Sequence, residues 1–241
     1  MRDTFLPFSP PFLGEEEVDE VVAALRSGWI SRGPRTAAFE EAFADRVGAP
    51  AALALNSCTA GLHLSLLVHG IGPGDEVVVP TMTFCASANV VEHVGARPVL
   101  VDVEPDTLTV DPAAVEAALT ERTRAVVVVH YAGHPAEMDA LEGLAADHGL
   151  ALVEDAAHAV PAAFRGRPVG SRGSLASFSF YATKNLTTGE GGMLTGDPEL
   201  VERARILGLH GMSRDAWKRY DGEGSWYYEV VAPGYKYNMT D

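Results

Sequence analysis

The chain has 241 residues, 47% of them apolar and 21% charged, which suits one large α/β domain with a packed core. Its formal charge of −15, from 33 acidic against 18 basic residues, opposes nucleic-acid binding, because that depends on neutralising phosphates with Lys and Arg. No apolar run approaches the ~20 residues of a membrane helix, and the start Met1-Arg2-Asp3-Thr4-Phe5-Leu6-Pro7-Phe8 lacks the apolar segment of a signal peptide, so a cytoplasmic location with no membrane partner is expected.

In chain order, Glu15 to Leu25 reads as an amphipathic helix with Val18, Val21, Val22 and Leu25 on one face and three glutamates at its N-terminal dipole. Phe39, Ala42, Phe43 and Val47 continue a helical pattern. The period then changes. Residues 51–55, 77–79, 98–101, 125–129 and 150–153 are short apolar runs, the signature of strands covered on both faces. Helical stretches lie between them, from Pro112 to Leu119 and from Met138 to His148, and this alternation predicts an α/β fold with a mainly parallel sheet sandwiched by helices. Gly166 to Gly173 reads as a turn-rich surface connection. Cys58 and Cys85 lie in different segments and read as free thiols. The last residues, Gly234-Tyr235-Lys236-Tyr237-Asn238-Met239-Thr240-Asp241, resemble a loop entering a helix. Thr240 or Asp241 is expected to cap that helix, and the chain to be part of a longer protein.

Ligands of open α/β sheets bind outside the carboxyl ends of the strands, and candidate groups follow several predicted strands. Asn56-Ser57-Cys58-Thr59-Ala60-Gly61 opens a helix and offers a phosphate cradle, or an ordinary helix cap. Thr81-Met82-Thr83-Phe84 offers an aromatic ring for a flat cofactor, or a core filler. Asp155 and His158 end the run at 150–153; the alternatives are a helix cap and a packed, hydrogen-bonded histidine. Ser179 offers a hydroxyl, and Lys184 follows in a tight, small-residue setting before Gly189-Glu190-Gly191-Gly192. A lysine amine that forms an imine with an aldehyde, and a carboxylate that holds a protonated pyridine nitrogen, are the usual protein contributions to pyridoxal phosphate (PLP) catalysis. On its own, Lys184 reads first as a solvated loop lysine, and only the surrounding motifs reverse that.

Together with Ser27-Gly28-Trp29-Ile30-Ser31-Arg32-Gly33-Pro34, Gly74-Asp75-Glu76-Val77, His130-Tyr131-Ala132-Gly133 and Glu154-Asp155-Ala156-Ala157-His158, these motifs resemble the DegT-type nucleotide-sugar aminotransferases, from about Phe8 to Asp241. These are PLP enzymes with the aspartate aminotransferase type of fold, and the pattern is most similar to the branch that aminates C4 of UDP- or dTDP-linked 4-keto sugars, as in 4-amino-4-deoxy-arabinose formation. The resemblance implies that residues 1–241 form the PLP-binding large domain of the seven-stranded type. Residues 1–14 would pack on a smaller C-terminal domain that this chain does not include. Lys184 would be the Schiff-base lysine and Asp155 the partner of the pyridine nitrogen. Ser57, Cys58, Thr59 and Ser179 would lie at the phosphate, Phe84 on the ring and His158 near the cofactor. Asn238 would reach the phosphate of a neighbouring subunit, making the active unit a homodimer. Tyr181 receives no role.

The implied reaction is a ping-pong transamination from glutamate, which leaves as 2-oxoglutarate, to the keto sugar. Arg32, Arg35, His210, Arg214, Lys218 and Arg219 are candidates for the donor carboxylates or the sugar diphosphate. A PLP-binding protein without catalysis and a C3-specific sugar aminotransferase are the alternatives. A nicotinamide-dependent enzyme lacks its Gly-x-Gly-x-x-Gly after a first strand.

Overall fold

The computed structural model describes residues 4–213 and 228–241. The short apolar runs do form strands: β1 (Ala52–Leu55), β2 (Glu76–Pro80), β3 (Arg97–Val101), β4 (Thr123–Val129) and β5 (Ala151–Asp155). A two-stranded hairpin, β6 (Ala163–Phe164) and β7 (Arg167–Pro168), occupies the start of the predicted surface connection. Two further strands, β8 (Leu175–Ser179) and β9 (Gly192–Thr195), complete a seven-stranded sheet in the order β1-β9-β8-β5-β4-β2-β3. Every pairing from β3 across to β8 is parallel; β9 alone runs against its neighbours. The carboxyl ends of β1, β2, β4, β5 and β8 therefore share one edge of the sheet, and the Lys184 loop returns to it where Ser179 pairs with Gly192.

Helices cover both faces, as the doubly buried strands require. Leu53, Leu55, Leu175 and Leu194 pack with α3 (Cys58–Val68) and α7 (Pro198–Leu207), while Val77, Val79, Val127 and Val153 pack with α3 and α4 (Ala86–His93). On the other face, Ala52, Ala54, Phe178 and Phe180 meet α2 (Pro34–Val47), and Val78, Val126, Val128 and Leu152 meet α5 (Pro112–Ala118) and α6 (Met138–His148). Strand alternation explains the sequence Ser177-Phe178-Ser179-Phe180. The two phenylalanines form an aromatic cluster with Phe39 and Phe43, with centroids 5.0–5.5 Å apart across the strand–helix contact. That leaves Ser177 and Ser179 for the opposite, α3 side.

The same alternation separates the two acids at the end of β5. Glu154 is fully buried on the α6 side. Its carboxylate accepts from His130 Nε2 at 2.9 Å and from the Ser174 hydroxyl. The Ala136 N–H donates to His130 Nδ1 at 3.2 Å, which leaves the ring proton on Nε2 to be given to Glu154. Burial works against ionising Glu154, but the His130 and Ser174 bonds and the nearby Arg172 charge hold its carboxyl below the usual range.

Helix α1 (Glu15–Ser27) is amphipathic as predicted, but its apolar face is largely unburied: Val18, Val21 and Leu25 remain exposed, Val22 is half-buried and Ala24 alone is fully covered. The side chain of Asp241 is engaged elsewhere in the chain. Asp241 caps α2 across the molecule. Its Oδ1 accepts from the N–H groups of Gly33 and Thr36 at 2.7 and 2.9 Å, its Oδ2 from the Arg35 N–H at 3.0 Å. Gly33 and Pro34 carry no side-chain acceptor, so the helix takes its cap from a distant residue. A Cβ on Gly33 would lie 2.6 Å from Asp241 Oδ2 and 2.9 Å from Trp29, so the glycine is what admits the carboxylate.

Burial disfavours the charge on Asp241, yet the Thr36 hydroxyl and the three N–H donors hold its carboxyl below the ordinary range. A depressed carboxyl stabilises the fold above its unfolded value and loses that contribution as pH falls through the folded one. Asp241→Ala should therefore lower the unfolding free energy by about 1–2 kcal/mol at neutral pH. The gap should close in acid, as read from denaturant curves at the two pH values. A gap that stays constant would show that the carboxylate charge is not what caps α2.

Candidate active site

A cavity of about 460 Å³ opens at the carboxyl edge of the sheet. It is lined by Ser57, Cys58, Thr59, Phe84, Asp155, His158, Ser179 and Lys184, which come from four strand exits and the β8–β9 loop. Eight of the nine residues assigned to the cofactor from the sequence thus line one cavity. A larger cavity of about 810 Å³, between α1 and residues 238–241, contains neither Lys184 nor Asp155; its ionisable lining residues, Glu17, Glu20, Glu190 and Asp241, are all acids and offer no amine.

The first wall is the amino end of α3. Ser57 is its N-cap, with Oγ accepting from the Ala60 N–H at 3.1 Å, so the plain capping role is real. Helix geometry leaves the N–H groups of Cys58 and Thr59 without intrahelical acceptors, facing the cavity with the positive end of the dipole. Close packing holds this turn in place. A Cβ on Gly192 would come within 2.5 Å of the Cys58 nitrogen, and one on Gly61 within 2.6 Å of Ser177 Oγ. Strand β9 and strand β8 can reach α3 only because both positions are glycine.

The floor is Asp155, 5% exposed. Ser87 Oγ donates to its Oδ2 at 2.7 Å and the Ala157 N–H to its Oδ1 at 3.2 Å. The Cys58 thiol lies 3.9 Å from Oδ1 and 3.3 Å from the Ser177 carbonyl. Burial first, and then the Asp155 charge, push this thiol well above its ordinary range, so Cys58 contributes as a small neutral wall and not as a nucleophile.

Phe84 is 74% exposed at the cavity mouth, which removes its alternative as core filler. His158 is exposed, stands edge-on to Tyr131 with centroids 6.4 Å apart, and is depressed first by partial burial and then by the Lys184 charge. Lys184 is half-buried on a turn closed by its N–H to the Tyr181 carbonyl at 2.9 Å. Beyond it lies a second cavity of about 320 Å³, lined by Phe8, Ser9, Tyr131, Asn185 and Leu186, with His158, Ser179 and Lys184 common to both.

The remaining candidates separate. Asn238 lies outside the cavity, beside β1, where it bridges to Leu55; its amide donates to the Met239 carbonyl and its Oδ1 accepts from Lys236. Arg32 is paired with buried Glu40 at 2.9 Å, which Arg205 also holds at 3.0 Å. Arg35 pairs with Glu20, and His210 is exposed away from the cavity. Arg214, Lys218 and Arg219 lie outside the described residues. Ser87 and Tyr181 are site residues that the motifs did not single out for a role. For Ser87 the one local signal was a small hydroxyl residue just after Thr81-Met82-Thr83-Phe84.

The cavity thus joins an anion cradle, a buried carboxylate, an exposed aromatic ring and an amine. Among the described residues no cluster of His, Cys, Asp and Glu could hold a metal ion, and no helix is long and apolar enough to cross a membrane.

The chain is 55% identical over its whole length to the spore coat polysaccharide biosynthesis protein SpsC of Bacillus subtilis, and it spans about 62% of that protein. It superimposes on Spr1654 of Streptococcus pneumoniae in its PLP form with a TM-score of 0.88 and 40% identity, covering 98% of this chain and 63% of the other. The sugar aminotransferase CalS13 of Micromonospora echinospora gives 0.87 and 34%, covering 98% and 64%. Residues 11–241 match the DegT/DnrJ/EryC1/StrS description, and this chain belongs to that aminotransferase family.

Proposed function

We propose that this chain is the cofactor-binding large domain of a PLP-dependent aminotransferase. Its acceptor is a nucleotide-linked 4-keto sugar, UDP- or dTDP-, glutamate is the donor, and the product carries the amine at C4. The observation that carries the reading is the convergence of Lys184 and Asp155 on one cavity with the amino end of α3 and the ring of Phe84. The relatives support it: one solved structure is a PLP form and another is a sugar aminotransferase. The size of the cavity also fits, since small-molecule sites run to roughly 300–1,000 Å³.

When bound, pyridoxal phosphate supplies an aldehyde carbon that condenses with amines and a ring that accepts the electron pair of a broken C–H bond. The chain's own residues do the rest. The Cys58 and Thr59 N–H groups and the Ser179 hydroxyl bind the phosphate. Phe84 offers its face to the ring. Asp155 holds a proton at the pyridine nitrogen, and its burial concentrates that charge interaction. Lys184 Nζ is the attachment amine and the group that moves a proton in each half-reaction. His158, depressed and so neutral at neutral pH, borders Lys184 without adding a competing charge.

Asn238, outside the cavity, is read as the contact to a second subunit's phosphate in a homodimer, and the cytoplasm as the site of action. A C-terminal small domain would supply the nucleotide contacts, in keeping with a chain that spans 62–63% of its curated relatives.

Lys184→Ala should abolish the covalently attached cofactor and its visible absorption band, and lower amino transfer by more than about 100-fold, the scale of a lost general acid–base group. A band that survives the substitution excludes Lys184 as the attachment point. Incubation with glutamate and UDP- and dTDP-4-keto sugars side by side should yield 2-oxoglutarate and a 4-amino sugar, identified by mass spectrometry and NMR. Release of 2-oxoglutarate without an amino sugar would count against the acceptor assigned here, and an amine at C3 would overturn the C4 assignment.

A further inference from the structure

The Asp155 carboxylate is held from α4 by a chain of two hydroxyls. Ser87 Oγ lies 2.7 Å from Asp155 Oδ2 and 2.7 Å from Thr83 Oγ1, and Ser87 is fully buried. A serine has one proton to give, and a carboxylate can only accept. The Ser87 proton therefore goes to Asp155, and Thr83 donates to Ser87, so the relay runs one way. The Ala157 N–H fixes the other oxygen at 3.2 Å. With Ser87 on one oxygen and the Ala157 N–H, beside the longer Cys58 thiol contact, on the other, the plane of the carboxylate is set.

The relay also shares its element with the aromatic wall. The Ser87 N–H donates to the Phe84 carbonyl at 3.2 Å, so the turn that presents the Phe84 ring at the cavity also presents the hydroxyl to Asp155. We propose that Ser87, backed by Thr83, is a positioning residue that orients Asp155 toward the ring nitrogen of the bound cofactor. This rests on the reading of Asp155 as the pyridine-nitrogen partner. Ser87 touches neither cofactor nor substrate in this scheme and acts entirely through the acid.

A residue that acts through another loses its effect when that other is removed, whereas a packing role persists. The test is a double-mutant cycle read by cofactor affinity: apo-protein is titrated with pyridoxal phosphate and followed by absorbance. Ser87→Ala should weaken uptake about tenfold, the scale of a lost hydrogen bond to a charged group. In an Asp155→Ala background the same change should cost less than about twofold. Thr83→Val should show the same pattern at about threefold, as a loss one bond further back. It carries the cycle alone if Ser87→Ala does not fold, which thermal unfolding of the apo-proteins reports. Equal losses in the two backgrounds, or no loss in either, overturn the proposal while leaving the Asp155 reading intact. An unaltered protein that takes up no pyridoxal phosphate sinks the Asp155 reading itself, and the inference with it.

Discussion

A carboxylate almost removed from water must be compensated where it sits, and the site is arranged around that requirement at Asp155. Two protein donors meet its two oxygens. That satisfies part of the charge and leaves room for a further donor from the cavity. Cys58, Leu62, Ala86 and Ala157 form the apolar part of the lining, beside the polar Ser57, Thr59, Ser179 and Lys184. The low exposure of Asp155 strengthens any charge interaction formed with it. The acid can serve as a strong partner for a protonated group because the sheet brings it to the edge and the helices keep water away.

Topology delivers the other groups to the same place. Reversal of β9 alone turns the loop from Phe180 to Gly191 into a hairpin over the carboxyl ends of the remaining strands. Lys184 is thereby suspended above Asp155's strand while its loop is anchored at both ends: the Phe180 N–H donates to the Gly191 carbonyl, and the Thr188 N–H returns to Phe180. Tight small-residue contacts at Gly61 and Gly192 do the complementary job beneath, drawing the amino end of α3 onto the same edge.

Much of this was legible in the sequence, and what was not has a common cause. β1, β2, β4 and β5 announce themselves because strands buried on both faces are largely apolar; β3 also reads as apolar, but it lies at the sheet edge with Leu100 60% exposed and is not covered on both faces as expected. β8 does not, because Ser177 and Ser179 must be small on the α3 side, so its alternation looks like a polar loop. β9 has only four residues, and α4 buries Val90 and Val91 behind a run of Ala, Ser and Asn that carries little period. Lys184, Asp155 and the residues at α3 were readable from local context. Ser87 was not, since its role depends on a residue 68 positions away. The same holds for Arg205, which meets Glu40 across 165 residues, and for Asp241, which meets α2 across more than 200 residues. Local chemistry names the groups; only the fold says which of them are already spoken for.

Strand β5 ends in two adjacent carboxylates with opposite duties, one locked to His130 in the helix layer and one facing the cavity. Nothing but odd–even position tells them apart. A slip of a single residue in this strand would exchange them, sending Asp155 into the packed interior and a longer side chain into the pocket. An insertion or deletion of one residue inside 151–155 is therefore far less tolerable here than a substitution.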